Sequence, residues 1–176
     1  RSAGLSISFT TQCKLTGRCK MTAAIEISGR MLKKEEGFRA KPYLCSEGFP
    51  TIGYGEKIGD KYEVLPNITT TEPEAYKKML ATITANEKTM LNNPDLYRCY
   101  FHLNHARKAV MLSIAYQIGI YGALKFKKML GALERADYSA AADEMLNSLA
   151  ARQTPARWKR NAEQMRSGEL NAFYQS

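Results

Sequence analysis

The chain has 176 residues, 44% of them hydrophobic and 24% charged, which is typical of a folded globular protein and excludes a disordered tail. This length allows one domain, or two small lobes that share a core. Lysine and arginine number 26 against 17 acids, and the formal charge of +9 favours a polyanionic partner or serves solubility alone.

Residues 1–20 contain no acid and no helical period. We interpret them as a flexible leader or tag that folding does not require. They lack the apolar segment of an export signal, and the chain has no run of 18 apolar residues. Stable insertion into a membrane is therefore not expected.

The first predicted helix begins near Met21 and ends at Gly37, a residue suited to a left-handed stop. One face of this helix carries, at helical spacing, Ile25, Ser28, Gly29, Leu32 and Glu36. We therefore expect Glu36 to face the protein and Glu35 to be exposed to solvent.

A small antiparallel sheet is predicted next, over residues 41–65. The segments "KPYLC" and "PTIGYGE" flank "SEGF" and are typical of a β-hairpin. The following "IGDKYEV" is interpreted as a third short strand or a loop. Gly53 and Gly55 allow close approach of the backbone to a ligand, or simply make bends.

Helices are predicted for the rest of the chain. Thr71 and Glu74 form a capping box before a long helix over about 72–91. Ser139 is expected to cap a later helix, and Thr154 with Pro155 begins the last long one. The sequence thus predicts an α+β fold: a β-containing lobe at about 21–70, a linking helix at about 71–92 and a helical lobe at about 93–176.

Metal and cofactor chemistry is not expected. Four cysteines are scattered without zinc spacing and suggest reduced thiols: Cys13, Cys19, Cys45 and Cys99. His102 and His105 lie three residues apart, and a solvated pair near a helix start is favoured over a pair of ligands.

The stretch after the first helix combines groups that can catalyse hydrolysis. A carboxylic acid held against apolar surface, as expected for Glu36, can donate a proton near neutral pH. Glycosidases pair such an acid with a second group across the scissile bond. Cys45 as a thiolate could serve as base or nucleophile, and the Thr51 hydroxyl could orient a water. The alternatives are a simple helix stop and a thiol packed in the core.

Three blocks in chain order resemble the phage-type lysozymes, the family of the T-even phage lysozyme. The first, "EEGFRAKPYLCSEGFPTIGYGE", has the family spacing of Glu, eight residues, Asp or Cys, five residues and Thr at Glu36, Cys45 and Thr51. "YQIGIYGALKFKKML" is similar to the aromatic-Gln-x-Gly segment, and "RQTPARWKR" to the Gln-Thr-Pro helix start. The resemblance runs from about Met21 to the C-terminus.

The resemblance implies a two-lobed muramidase that hydrolyses the β-1,4 bond between N-acetylmuramic acid and N-acetylglucosamine in peptidoglycan. Glu36 would be the general acid, Cys45 would replace the usual aspartate and Thr51 would position water. Gln117 matches the glutamine beside the acid and Arg157 its arginine partner. Arg160 matches a second basic residue, usually paired with the acid that precedes the catalytic one, here Glu35.

Two positions depart from the family pattern. Cys45 stands where aspartate is usual. In some endolysins with a retained N-terminal anchor a disulfide cages such a thiol; that route is disfavoured here, although Cys13 or Cys19 could cage Cys45 if the leader is native. Glu56 stands where a histidine often follows the last hairpin glycine, so an ion pair of the family is expected to be missing.

The favoured function is a monomeric phage endolysin that accumulates in the host cytoplasm and reaches the periplasm through a holin pore. The alternatives are a non-catalytic peptidoglycan-binding protein, a tail-associated lysozyme and a lytic transglycosylase. A nucleic-acid-binding module is disfavoured, because no helix concentrates lysine and arginine into one stripe with interleaved aromatic residues.

Overall fold

The computed structural model describes residues 21–175, so the predicted leader, with Cys13 and Cys19, lies outside the described residues. The described elements, in chain order, are α1 (Ala23–Glu36), β1 (Arg39–Leu44), β2 (Pro50–Gly53), β3 (Glu56–Lys57), α2 (Glu72–Asn92), α3 (Pro94–Tyr100), α4 (His105–Leu124), α5 (Lys127–Glu134), α6 (Tyr138–Leu146), α7 (Leu149–Gln153), α8 (Pro155–Ser167) and a 3₁₀ turn (Ala172–Tyr174). The predicted α+β fold, a small antiparallel sheet with a mainly helical lobe, is confirmed.

Helix α1 begins and ends where the sequence indicates. The side chain of Thr22 accepts a hydrogen bond from the backbone N–H of Ile25 at 3.3 Å, which caps the helix. Gly37 follows the last helical residue with a φ of +66°, a conformation that favours glycine. The buried face of α1 carries Ile25, Ser28 and Leu32, as the helical spacing predicts. Glu36 is the final residue of α1.

The three strands form one antiparallel sheet in the order β1-β2-β3. Tyr43 pairs with Thr51, and the turn between β1 and β2 is closed by a hydrogen bond from Gly48 N–H to the Cys45 carbonyl, 2.8 Å. The third strand is Glu56–Lys57, and residues 58–64 form a loop, which is the second of the two predicted alternatives. That segment leaves the sheet because the N–H of Tyr62 returns to the Gly48 carbonyl, 2.8 Å away, and packs the loop on the hairpin turn.

One predicted helix start is confirmed, one is shifted, and one helix is interrupted. The capping box at Thr71 and Glu74 starts α2 as predicted. Helix α6 instead starts one residue before Ser139, because Asp137 accepts the N–H of Ala140 at 2.9 Å and acts as the cap. Helix α4 is interrupted at Gly119, whose φ of +76° and ψ of 165° are not helical.

The core of the helical lobe is built around α4, which packs against α1, α2 and α8. Trp158 of α8 is fully buried and stacks on Phe126, with ring centroids 5.5 Å apart and planes 5° from parallel. Among the described helices, no single one is long and apolar enough to cross a membrane, although α4 and α5 pass that test together with a 96° bend between them.

Candidate active site

Glu36 is held by an arginine from the start of a distant helix. Arg157 Nη1 donates to Glu36 Oε1 at 2.6 Å, and the two side chains are 7% and 23% exposed. The guanidinium also reaches the carbonyl and hydroxyl of Ser113 in α4 at 3.4 Å. A cation in the first turn of a helix is disfavoured by the helix dipole, and the carboxylate offsets that cost. The contact joins α1, α4 and α8 at one point.

The neighbouring acid is also paired, which corrects one prediction. Glu35 accepts two hydrogen bonds from Arg160 at 2.9 Å and one from the Tyr174 hydroxyl, and its side chain is only 7% exposed. The expectation that Glu35 is solvated is wrong. The reason is not local, since the 3₁₀ turn near the C-terminus brings Tyr174 onto this face of α1.

The second oxygen of Glu36 faces the backbone at the end of β2. Glu36 Oε2 lies 3.7 Å from the position that a Cβ would take at Gly55. Gly55 has a φ of +88°, which a residue with a side chain adopts only under strain. Arg157 thus holds one carboxyl oxygen, and the other lies beside a bare stretch of backbone that leaves room for a ligand.

Cys45 and Thr51 lie next to each other across the hairpin. The pKa of the Cys45 thiol is lowered although its burial alone would raise it. Backbone hydrogen bonds from Phe49 and Glu47 lower the pKa most, and the charge of Lys57 adds to the effect; the Thr51 hydroxyl adds to it only when its proton turns from the Phe49 carbonyl toward the thiol. The environment of this partly buried thiol therefore favours the thiolate.

Thr51 is 2% exposed, and its hydroxyl donates to the Phe49 carbonyl at 2.9 Å. A hydroxyl has a single proton, so Thr51 cannot donate to this carbonyl and to Cys45 at the same time. While it donates to Phe49, the lone pairs of Thr51 are available as acceptors for a water or a sugar hydroxyl.

The charges of both the thiol and the acid act on Tyr43. Burial raises the pKa of Tyr43 most, Arg39 opposes this, and the charges of Glu36 and Cys45 raise the pKa further. Both groups therefore act on one phenol, and Tyr43 lies within electrostatic reach of each. Tyr43 also pairs with Thr51 in the sheet, which places this phenol beside one of the proposed site residues.

Gln117 contacts the residue at the start of α8. Its amide nitrogen donates to the Thr154 hydroxyl at 2.9 Å, so it contacts the residue that precedes α8. Its Oε1 is buried and has no hydrogen-bond partner within residues 21–175. The amide thus supports the start of α8, where Arg157 lies.

A cleft of about 300 Å³ lies between the end of the sheet and α2. Its lining includes Gly55, Tyr116 and the ion pair of Glu56 with Lys78, whose charged atoms are 3.0 Å apart. Glu56 thus has a lysine partner in place of the histidine-based pair implied by the resemblance. Neither Tyr116 nor Lys78 is predicted from the sequence as a site residue. For Tyr116, the available signal is its position as the aromatic residue in the aromatic-Gln-x-Gly segment.

The histidines show no metal-binding arrangement. No group of three or more metal-binding side chains occurs in the described part of the chain. His105 is the first residue of α4, and His102 lies in the preceding turn.

Comparison with known proteins gives consistent matches. The sequence profile described as "Phage lysozyme" matches residues 33–165. The chain is similar to "Probable T4-type lysozyme 1" of Dictyostelium discoideum, with 34% identity over 165 residues, 81% of this chain and 95% of the relative. "Probable T4-type lysozyme 2" of the same organism is 29% identical with equal coverage. "Pre-baseplate central spike protein Gp5" of Enterobacteria phage T4 is 27% identical over 81% of this chain but only 28% of its own length.

Proposed function

Because the chain belongs to the phage lysozyme family, we propose that it hydrolyses the β-1,4 bond between N-acetylmuramic acid and N-acetylglucosamine in bacterial peptidoglycan. The observation that carries this proposal is the placement of Glu36. One of its carboxyl oxygens is held by Arg157 and the other faces Gly55, next to the hairpin that bears Cys45 and Thr51. The +9 charge suits an anionic wall polymer.

In the proposed reaction, Glu36 gives a proton from Oε2 to the glycosidic oxygen as the bond to the anomeric carbon breaks. A water adds its oxygen to the anomeric carbon, and its released proton goes to the Cys45 thiolate. Thr51 accepts a hydrogen bond from that water and orients it. If Cys45 instead attacks the anomeric carbon directly, a carbon–sulfur bond forms; in a second step a water displaces the sulfur, gives its proton to the Glu36 carboxylate and leaves Cys45 as the thiolate. In both versions the leaving sugar departs with a free hydroxyl and the new end is a reducing sugar.

The setting of the reaction is a further part of the proposal. As a monomeric endolysin, the enzyme would accumulate in the host cytoplasm and reach the wall through a holin pore. The second candidate is wall digestion outside phage infection. The observation in its favour is the match over 95% of the length of the lysozymes from Dictyostelium discoideum.

The test combines lysis with product analysis. Turbidity of outer-membrane-stripped bacteria should fall with the wild-type protein and remain unchanged with Glu36→Gln. Glu26→Gln, in the first turn of the same helix and exposed, is the matched control and should remain active. Digests should contain reducing ends. Products with 1,6-anhydro ends would indicate a transglycosylase, and wall binding without products a non-catalytic protein.

A further inference from the structure

Tyr116 makes a contact that the proposed reaction has not yet used. It lies in α4 of the helical lobe, directly before Gln117, and is half-buried. Its hydroxyl donates to the backbone carbonyl of Tyr54 at 2.6 Å. Tyr54 follows the last residue of β2, so this hydrogen bond runs from the helical lobe to the end of the hairpin.

The carbonyl that accepts this bond belongs to the peptide that leads into Gly55. Gly55 is the residue whose backbone lies beside Glu36 Oε2. The Tyr54 side chain is anchored independently, because its hydroxyl donates to Glu72 at 2.8 Å at the start of α2. The free oxygen of Glu36 therefore faces a peptide whose orientation is fixed from the other lobe by Tyr116.

The surroundings make the Tyr116 hydroxyl a permanent donor. Its burial raises its pKa most, and the charges of Glu36 and Glu56 raise it further against the opposing charge of Arg157. A phenol ordinarily ionises near pH ~10, so this one keeps its proton at any pH at which a lysozyme works. Tyr116 consequently exchanges no proton with the substrate.

We propose that Tyr116 is a positioning residue, whose hydrogen bond to Tyr54 holds the Tyr54–Gly55 peptide beside Glu36 and fixes the spacing between the helical lobe and the hairpin. The hairpin carries Cys45 and Thr51, while Arg157 in the helical lobe holds Glu36. A shift between the two lobes would therefore separate the acid from the groups that act on water. The inference rests on the proposed function, since it is the reaction that needs this spacing.

The decisive variant is Tyr116→Phe, which removes one oxygen and keeps the ring in the cleft lining. Its matched control is Tyr100→Phe, because the Tyr100 hydroxyl donates to Glu87 at 2.7 Å inside the helical lobe, away from the cleft residues. Both variants lose one phenol hydrogen bond. We expect both to be less stable, but only Tyr116→Phe to lose turnover, by about tenfold or more with little change in KM, since misplaced groups slow the chemical step.

A second measurement does not depend on catalysis. Amide hydrogen exchange at residues 54–57 should accelerate in Tyr116→Phe and not in Tyr100→Phe. Unchanged exchange in that segment, or an unchanged turnover number in Tyr116→Phe, overturns the positioning role. A wild-type protein that does not cleave peptidoglycan would overturn the proposed function. Accelerated exchange in Tyr116→Phe would then still support the structural contact by itself.

Discussion

Glu35 is buried more deeply than Glu36, although the two are adjacent in α1: their side chains are 7% and 23% exposed. Two arginines three residues apart on α8 hold them, Arg160 and Arg157 respectively. Glu35 accepts three hydrogen bonds, and they engage both of its carboxyl oxygens. Glu36 accepts one hydrogen bond at Oε1, and its Oε2 lies near Gly55. Substitutions of the two acids should therefore affect stability and activity differently.

Glu35→Gln should reduce stability and spare the reaction. Removing one charge from a buried pair leaves the other uncompensated, at a cost of about 3 kcal/mol, or roughly 6–12 °C in Tm for a chain of this size. Glu36→Gln should also lower the Tm, because Arg157 is only 7% exposed and loses its charged partner, but it should in addition lose lysis. Thermal unfolding by circular dichroism and lysis at 25 °C measure the two effects. Lysis by Glu36→Gln at the wild-type rate would refute the assignment of the acid.

The pH dependence of lysis should report Cys45. The pKa of this thiol is lowered, so the thiolate forms at a pH below the ordinary cysteine pKa of about 8.5. Activity should therefore rise with pH as the thiol ionises. Cys45→Asp should keep activity and shift the rising limb by several pH units toward acid, because a carboxyl ionises near ~3.9. Cys45→Ala should lose most activity. Full activity in Cys45→Ala would leave the thiol with a packing role only.

Alkylation should distinguish the two described cysteines. Burial raises the pKa of Cys99 to about 11, and its thiol lies 3.3 Å from the Leu130 carbonyl inside the core. Iodoacetamide at pH 8 should therefore modify Cys45 and inactivate the enzyme, and a cell-wall oligosaccharide should protect it. The measurement is peptide mass analysis in a Cys13→Ser, Cys19→Ser background. Cys99→Ala in that background is the control and should be inactivated equally. Modification of Cys45 without loss of activity would contradict a role in the reaction.

Acid should weaken the contact between α1, α2 and the end of β2 through Glu72. Hydrogen bonds from Lys33 and Tyr54, together with the charge of Lys33, lower the pKa of this carboxyl. A folded-state pKa below the unfolded value of about 4.3 adds stability above that pH, and this stability is lost as pH falls through the folded pKa. The urea midpoint should therefore decline less between pH 5 and pH 3 in Glu72→Gln than in wild type. Equal declines in both would show that Glu72 does not contribute.

Local patterns predicted most of the fold and part of the site. The spacing of apolar residues before Gly37 places Glu36 at the end of α1, and the capping box places the start of α2, because both signals act within a few residues. The prediction that Glu35 is solvated is wrong because a distant residue covers it: Tyr174 contacts Glu35 from 139 positions away in the sequence. The Tyr116 contact spans 62 positions, and no local spacing indicates which carbonyl its hydroxyl meets.

The burial of Trp158 against Phe126 gives the molecule a built-in spectroscopic probe. The chain contains a single tryptophan, so all indole fluorescence arises from the start of α8, one residue from Arg157. Unfolding would expose this ring to water and shift its emission to longer wavelength, whereas loosening of the hairpin alone would leave it in the core. Emission followed during a denaturant titration therefore reports the helical lobe separately, and disagreement with a probe attached to the hairpin would reveal that the two lobes unfold in separate steps.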